Sequence, residues 1–271
     1  MGMNSLIIPY DPRMGDAARA LAFLRHSYRI RAEQLEAREW GELVVTPTLP
    51  RIWDANFAIV DRWVGTPAEL HAELEREQGA LGFPHRKTTI LDEALGGRVW
   101  PALAEPDWTL SNRFVVMAHR RPPDRPADPA IRVEEVEPDA FGDVHEATSR
   151  EQPWGEDAEV VAQLRALNER LASAIPTRPF AAIVDGAPAA AANLYQLGPV
   201  AQIEDVATVP THRGKGLARA VVLAALGAAR AEGAELVFLV ADETDWPKEL
   251  YGRLGFDTVA VEHMAGRPAS V

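Results

Sequence analysis

Between Thr208 and Ala218 the chain reads Thr-Val-Pro-Thr-His-Arg-Gly-Lys-Gly-Leu-Ala, and no other stretch restricts the fold as much. Ala201 to Thr208 reads as a strand, and Pro210 bars that strand from continuing in a ladder. Two glycines then open an alanine-rich helix, Gly216 to Glu232. A strand that runs straight into such a helix also builds an anion site. The first backbone N–H groups of a helix have no intrahelical partner, and its dipole places about half a positive charge there. Gly214 and Gly216 leave room for a phosphate to approach the backbone, and Arg213 and Lys215 add formal positive charge.

Around this turn the apolar periodicity predicts an alternating order of elements. Ile131 to Val136 reads as a strand, then Asp139 to Ser149 and Ala158 to Ala174 as helices, the second opened by Asp157. Phe180 to Val184 and Ala189 to Leu197 read as a hairpin with Asp185-Gly186 at its tip. Beyond the glycine turn come a strand at Glu235 to Val240, a short helix at Pro247 to Leu254 and a last strand at Thr258 to Met264. This order implies an α/β chain with a mixed sheet.

Upstream, Arg120 to Pro129 carries four prolines in ten residues. Proline restricts itself and the residue before it, so the segment reads as a stiff linker. The expected organisation is a lobe over residues 1–120, a linker over 121–130 and a second lobe over 131–271. The first lobe reads as a helix from Ala17 to Glu39, a strand from Trp53 to Val60 and a helix from Pro67 to Ala80. A strand at Lys87 to Leu91, a helix at Asp92 to Ala104 and a strand at Ser111 to Ala118 complete it. Its closing series, strand-helix-strand-helix-strand, repeats that of the second lobe, which implies an internal duplication with a degenerate first copy.

Composition narrows the function. A formal net charge of −12 opposes a phosphate backbone, so no nucleic-acid partner is expected, whereas a cationic acceptor is permitted. No long uncharged apolar run is present, so no membrane span is expected. Leu6 stands where a myristoylation signal wants Ser or Thr, and no export signal is read at Met1 to Leu6. With no cysteine, disulfides and a cysteine nucleophile are excluded, no metal is expected, and the cytoplasm is the default compartment.

Pro-x-x-Arg-Gly-x-Gly-x-Ala from Pro210 to Ala218, followed after one helix and one strand by Leu250-Tyr251-Gly252-Arg253-Leu254-Gly255-Phe256, resembles the GNAT acyltransferase superfamily. Arg213, Gly216 and Ala218 meet its phosphate-loop signature, and Tyr251, Gly255 and Phe256 meet its terminal one. The order of elements from Ile131 to Ala265 also agrees. The resemblance implies the acyl-coenzyme A N-acyltransferase fold, with a tandem arrangement if the first lobe is a second copy, as in mycothiol synthase-like proteins. It implies acetyl-CoA as acyl donor. Backbone groups of Val206, Ala207 and Thr208 would pair with the pantetheine arm, and the amides of Gly214, Lys215, Gly216, Leu217 and Ala218, with Arg213, would hold the pyrophosphate. Tyr251 is then the proton donor to the departing thiolate. Thr244 stands where many relatives have asparagine, which removes one expected cofactor contact.

A base must take a proton from the attacking amine, and Glu204 and Asp205 lie on the strand beside the thioester. Side chains alternate faces along a strand, so one of the two is expected to face the acceptor. Glu204, which shares a face with Thr208, is favoured over Asp205, with His145 and His212 as further alternatives. Trp154 is read as an apolar wall of the acceptor site, with Glu151 and Glu156 as anchors for a cation. The expected activity is transfer of an acetyl or short acyl group to a primary amine of a small molecule or peptide. The alternative is an acyl-CoA-binding sensor without turnover. A homodimer is compatible with either.

Overall fold

A computed structural model describes residues 13–103 and 108–267. Met1 to Leu6, where no export or myristoylation signal is read, and Ala104 at the end of the helix read from Asp92 lie outside the described residues. No helix among the described residues is long and apolar enough to cross a membrane.

The first half runs α1 (Asp16–Ile30), β1 (Gln34–Arg38), β2 (Gly41–Val45), β3 (Phe57–Val60), α2 (Pro67–Ala80), β4 (Arg86–Ile90), α3 (Glu93–Leu103) and β5 (Leu110–His119). The second runs β6 (Arg132–Glu135), α4 (Pro138–Ser149), α5 (Ala158–Ala174), β7 (Thr177–Val184), β8 (Ala187–Leu197) and β9 (Val200–Thr208). It ends with α6 (Leu217–Ala231), β10 (Leu236–Asp242), α7 (Pro247–Arg253) and β11 (Phe256–Arg267). From α1 and from α5 onward, the two halves pass through the same series of helix, three strands, helix, strand, helix, strand.

Several expected boundaries move. The strand read from Trp53 to Val60 begins at Phe57, after a 3-10 turn at Trp53–Ala55, and the strand read from Phe180 begins at Thr177. The helix read from Ala17 to Glu39 stops at Ile30, and Gln34 to Arg38 turns back as a hairpin with β2, pairing Arg38 with Gly41. Gln-Leu-Glu-Ala-Arg has good helix propensity, but pairing with β2 overrides it, as tertiary context commonly does. Gly41 is the local cause. Its φ is +156°, and a Cβ there would lie 2.0 Å from the carbonyl oxygen of Ile59, so only glycine lets β2 pass β3 this closely.

All the strands form one mixed sheet in the order β1-β2-β3-β4-β11-β5-β10-β9-β8-β7-β6. The last strand of each half is exchanged. β5 lies antiparallel against β10, the penultimate strand of the other half, while β11 lies antiparallel against β4. The two exchanged strands then pair with each other from Phe256↔His119 to Gly266↔Leu110. Residues 120–131 must therefore run from the middle of the sheet to its far edge at β6. Five inter-strand steps at about 4.8 Å need about 24 Å. Twelve residues in polyproline geometry, at roughly 3.1 Å per residue, reach about 37 Å, which covers that crossing. The prolines suit the crossing, and the segment is tied down on the way by Asp124 N–H to the Arg253 carbonyl at 2.8 Å.

Alanine sets the depth of the second half. Ala189 to Ala192 of β8 are all buried, as are Ala220, Ala225 and Ala229 of α6, so helix and sheet approach closely. α1 packs across the exchange, with Phe23 edge-on to Phe238 of β10 at 5.4 Å between ring centroids.

The exchange predicts a single cooperative unit. Val115, Val116 and Met117 of β5 are buried, each such side chain is worth about 1.5–3 kcal/mol, and whole domains are stable by only about 5–15 kcal/mol. Residues 131–271 expressed alone should therefore show no cooperative thermal transition, whereas co-expression with residues 1–130 should restore one. Calorimetry of the two preparations checks this.

Candidate active site

β9 and β10 are parallel neighbours for only three pairs, Val200↔Leu236, Ala201↔Val237 and Gln202↔Phe238. Beyond them β10 continues along β5 to Asp242↔Phe114, while β9 stays with β8 to Thr208↔Ala190. The two strands diverge, and the inner edge of β9 has no ladder partner from Ile203 onward. An outer cleft of about 890 Å³ opens there, lined in part by Val206, Ala207, Thr208, Gly214, Gly216 and Tyr251. A second, inner cavity of about 440 Å³ lies on the side of the first half. Asp205 and His145 line both.

At the mouth of the outer cleft the chain leaves β9 through a short 3-10 turn, Pro210–His212, and enters α6 at Leu217, with Gly216 as N-cap. Gly214 and Gly216 have φ of +76° and +81°. A Cβ on Gly214 would meet nothing within 4 Å and one on Gly216 only Ile131 at 3.7 Å. The glycines are therefore required first by the left-handed backbone, with open space above the loop as the second consequence. The amides of Gly214, Lys215, Gly216, Leu217, Ala218 and Arg219 donate to no other backbone carbonyl among the described residues. Six unpaired donors at a helix start form a ready anion cradle.

The cationic surroundings differ from the sequence reading. Lys215 donates to the Thr211 carbonyl at 3.2 Å. Arg213 donates to the Thr208 carbonyl at 3.2 Å and pairs with Glu151, so Glu151 braces the loop. Arg125, Arg219 and Arg253 also line the cleft and were missed. Buried Arg219 pairs with Asp124 at 2.7 Å and donates to the Arg125 carbonyl at 2.9 Å, which fixes the proline-rich crossing as a wall. Its place directly after the Gly-x-Gly-x-Ala run was the available signal.

Strict alternation fails at the expected base. Between Ala191↔Ala207 and Asn193↔Glu204, β8 takes two steps and β9 three. The extra residue is a bulge at Asp205, whose φ is +56°, a region that aspartate tolerates better than most residues. Glu204 and Asp205 therefore both line the inner cavity, against the alternation expected of a regular strand. The Asp205 carboxylate accepts from Asn193 Nδ2 and from the Tyr195 hydroxyl, each at 3.1 Å. Glu204 accepts from Gln202. Burial, reinforced by the neighbouring Asp205 charge, pushes the Glu204 carboxyl up to about 8.

Tyr251 on α7 is 7% exposed, with its ring edge-on to Phe256 at 6.5 Å. Its hydroxyl has no hydrogen-bond partner among the described residues. Burial, with Glu204 and Asp245 adding negative charge nearby, raises its pKa well above the ordinary phenol range, so the phenol stays protonated and able to donate. Thr244 does not face the cleft in the manner of an asparagine; its N–H and hydroxyl bind Asp242 Oδ1 at 2.8 and 2.7 Å. His212 lines the outer cleft. Trp154 sits half-buried in the turn after α4 and lines neither cavity. The inner cavity takes its wall instead from the first half, including Tyr28, Arg31, Asp54 and Lys87. Glu262 of the exchanged β11 also lines it. Burial raises the Glu262 carboxyl, which accepts from the Tyr28 hydroxyl at 2.9 Å and from Thr89 at 3.0 Å.

Residues 141–256 match the model of the acetyltransferase (GNAT) family. Among solved structures, a GCN5-related N-acetyltransferase from Kribbella flavida has a TM-score of 0.66 at 18% identity, covering 95% of this chain and 97% of that one. A GCN5-related N-acetyltransferase from Sphaerobacter thermophilus has a TM-score of 0.58 at 16% identity, covering 88% and 84%. A tandem GNAT protein from the clavulanic acid biosynthesis pathway has a TM-score of 0.55 at 17% identity, covering 85% and 79%. No curated protein matches the sequence. Residues 141–256 are a GNAT-family acetyltransferase domain, set in a chain whose mixed sheet has the acyl-CoA N-acyltransferase fold.

Proposed function

We propose that the protein transfers an acetyl or short acyl group from acyl-CoA to a primary amine held in the inner cavity. The observation that carries this is one continuous surface. The unpaired amides before α6 lead along the free edge of β9 to Asp205, where the outer cleft, lined also by Tyr251, meets the inner cavity. The amides from Gly214 to Ala218 hold the pyrophosphate, and the edge of Val206, Ala207 and Thr208 accepts the pantetheine arm as an added strand. Arg125, Arg213, Arg219 and Lys215 balance the phosphate charge.

In this reading Glu204, directly or through a water at Asp205, takes the proton that the amine loses as it attacks the thioester carbonyl. Tyr251 gives its proton to the departing sulfur. The ammonium of a free amine needs a base that accepts a proton near neutral pH, and a carboxyl raised to about 8 suits that task better than one near 4. The first half, residues 1–120, is taken as a degenerate copy that supplies the acceptor wall. Its counterpart of the phosphate loop is already filled. Thr66 Oγ1 accepts from the Glu69 amide at 3.3 Å and Glu69 accepts from the Thr66 amide at 2.8 Å, a capping box that places a carboxylate where a phosphate would sit.

Titration with acetyl-CoA should give one site per chain, and Gly214→Val with Gly216→Val should remove it, because a β-branched residue strains at positive φ. Calorimetry that finds two sites, or unchanged affinity, contradicts the assignment. Tyr251→Phe should lower kcat by about 10²- to 10⁴-fold with little change in acetyl-CoA affinity, followed by thiol release from a panel of amines.

The pH profile tests the base. Glu204 acts only when deprotonated, and its carboxyl is raised, so kcat should climb as pH rises through about 8. Glu204→Gln should remove that limb. A profile that keeps the limb in the variant assigns it to another group.

A further inference from the structure

The geometry points to an acceptor that carries a carboxylate as well as its amine, an α-amino acid bound with its carboxylate against Arg31 and its amine toward Glu204 and Asp205. This rests on the transfer reading above and adds the substrate class to it.

Arg31 is the C-cap of α1 and lines the inner cavity. Its guanidinium lies 5.2 Å from the centre of the Tyr28 ring, and its buried Nε has no hydrogen-bond partner. The other charged side chains of the cavity are engaged. Lys87 pairs with Asp54, Glu262 accepts from Tyr28 and Thr89, and Asp242 accepts from Asn112 at 2.6 Å. Glu204 and Asp205 accept from Gln202, Asn193 and Tyr195. Among the described charged groups lining this cavity, Arg31 alone has no hydrogen-bonded or ion-paired partner.

Arg31 is half-buried, and a guanidinium that lines a cavity with no ion-paired or hydrogen-bonded partner is left to an anionic ligand. The planar fork of arginine matches a carboxylate with two parallel bonds. The surroundings favour a single negative charge. Asp54 and Asp242 line the same cavity and are held as carboxylates, so a doubly charged phosphate would meet more repulsion than a carboxylate. The opposite pole belongs to Asp205, at the junction with the outer cleft, where an ammonium is attracted and the acyl group arrives. The cavity thus has a positive pole supplied by the first half and a negative pole supplied by β9. A zwitterion with amine and carboxylate on one carbon fits this arrangement, and about 440 Å³ leaves space for a side chain.

The test is a binding titration on the full-length protein saturated with coenzyme A, which carries no acyl group to transfer. Natural α-amino acids are each compared with the amine left by their decarboxylation, leucine with isopentylamine and phenylalanine with phenethylamine among them. At least one amino acid should bind about 10- to 100-fold more tightly than its amine, the effect of a hydrogen bond to a charged group. Arg31→Gln should abolish that preference, and Arg31→Lys should restore part of it. Saturation by coenzyme A at the start of each titration reports that the variants are folded. Equal binding within every pair, no binding by any amino acid, or a preference that survives Arg31→Gln would overturn the proposal. Phosphoethanolamine binding as tightly as the best amino acid would overturn the choice of carboxylate. If the preference and its loss are seen but no thiol is released from acetyl-CoA with the preferred amino acid, the α-amino acid site at Arg31 stands, but its occupant is a bound ligand rather than an acceptor and the transfer reading falls.

Discussion

The parting of β9 from β10 after Gln202↔Phe238 is the constraint on which the rest depends. A parallel pair normally keeps its ladder, because each backbone N–H and C=O taken from water needs a partner. Here β10 keeps one on its other side, where β5 pairs with it from Phe238 to Asp242. β9 keeps β8. Each strand is thus secured by its outer neighbour, and the gap between them can open without costing either strand its place in the sheet. The unpaired inner edge of β9 then becomes a template for an extended ligand.

β5 belongs to the other half of the chain, so the opening depends on the strand exchange. The same exchange carries β11 to β4, which brings Glu262 over to Tyr28 and Thr89. One topological event therefore holds the cleft open and assembles the wall of the inner cavity from both halves. A GNAT domain delimited by its motifs, residues 141–256, contains neither β5 nor the residues that face Glu204 from the first half.

What was legible in the sequence follows the range of the interaction that fixes it. The glycine turn was readable because positive φ at Gly214 and Gly216 is a local demand that few residues meet, and Tyr251 because it stands at a fixed distance from Gly255 and Phe256. The helix boundaries of α2 and α5 were readable because Thr66 and Asp157 cap them with their own side chains. The β1–β2 hairpin was not, since its segment prefers helix until β2 is beside it. Nor was the bulge: a single aspartate within a strand does not reveal that it sits at φ +56°. Arg31 and Glu262 acquire meaning only through the exchange, which places residues from opposite ends of the chain around one cavity. Trp154 was judged by its place in a loop, and that loop leaves it lining neither cavity.

The inner cavity also shows a conflict between stability and chemistry. Glu204 and Glu262 both hold their protons more tightly in the folded chain than carboxyls ordinarily do, because burial disfavours their charge. The folded state then binds more protons than the unfolded chain once pH exceeds the ordinary carboxyl range. By linkage, each group's contribution to stability falls as pH rises, for Glu204 until about 8. A buried apolar residue at either position would avoid this loss. The two differ in how they are satisfied. Glu262 is held by two hydroxyls and serves the join between α1, β4 and β11. Glu204 has only Gln202 and stands beside a strained aspartate at the junction of the two cavities. Under the proposed mechanism, the less complete hydrogen bonding of Glu204 leaves it, rather than Glu262, free to exchange a proton.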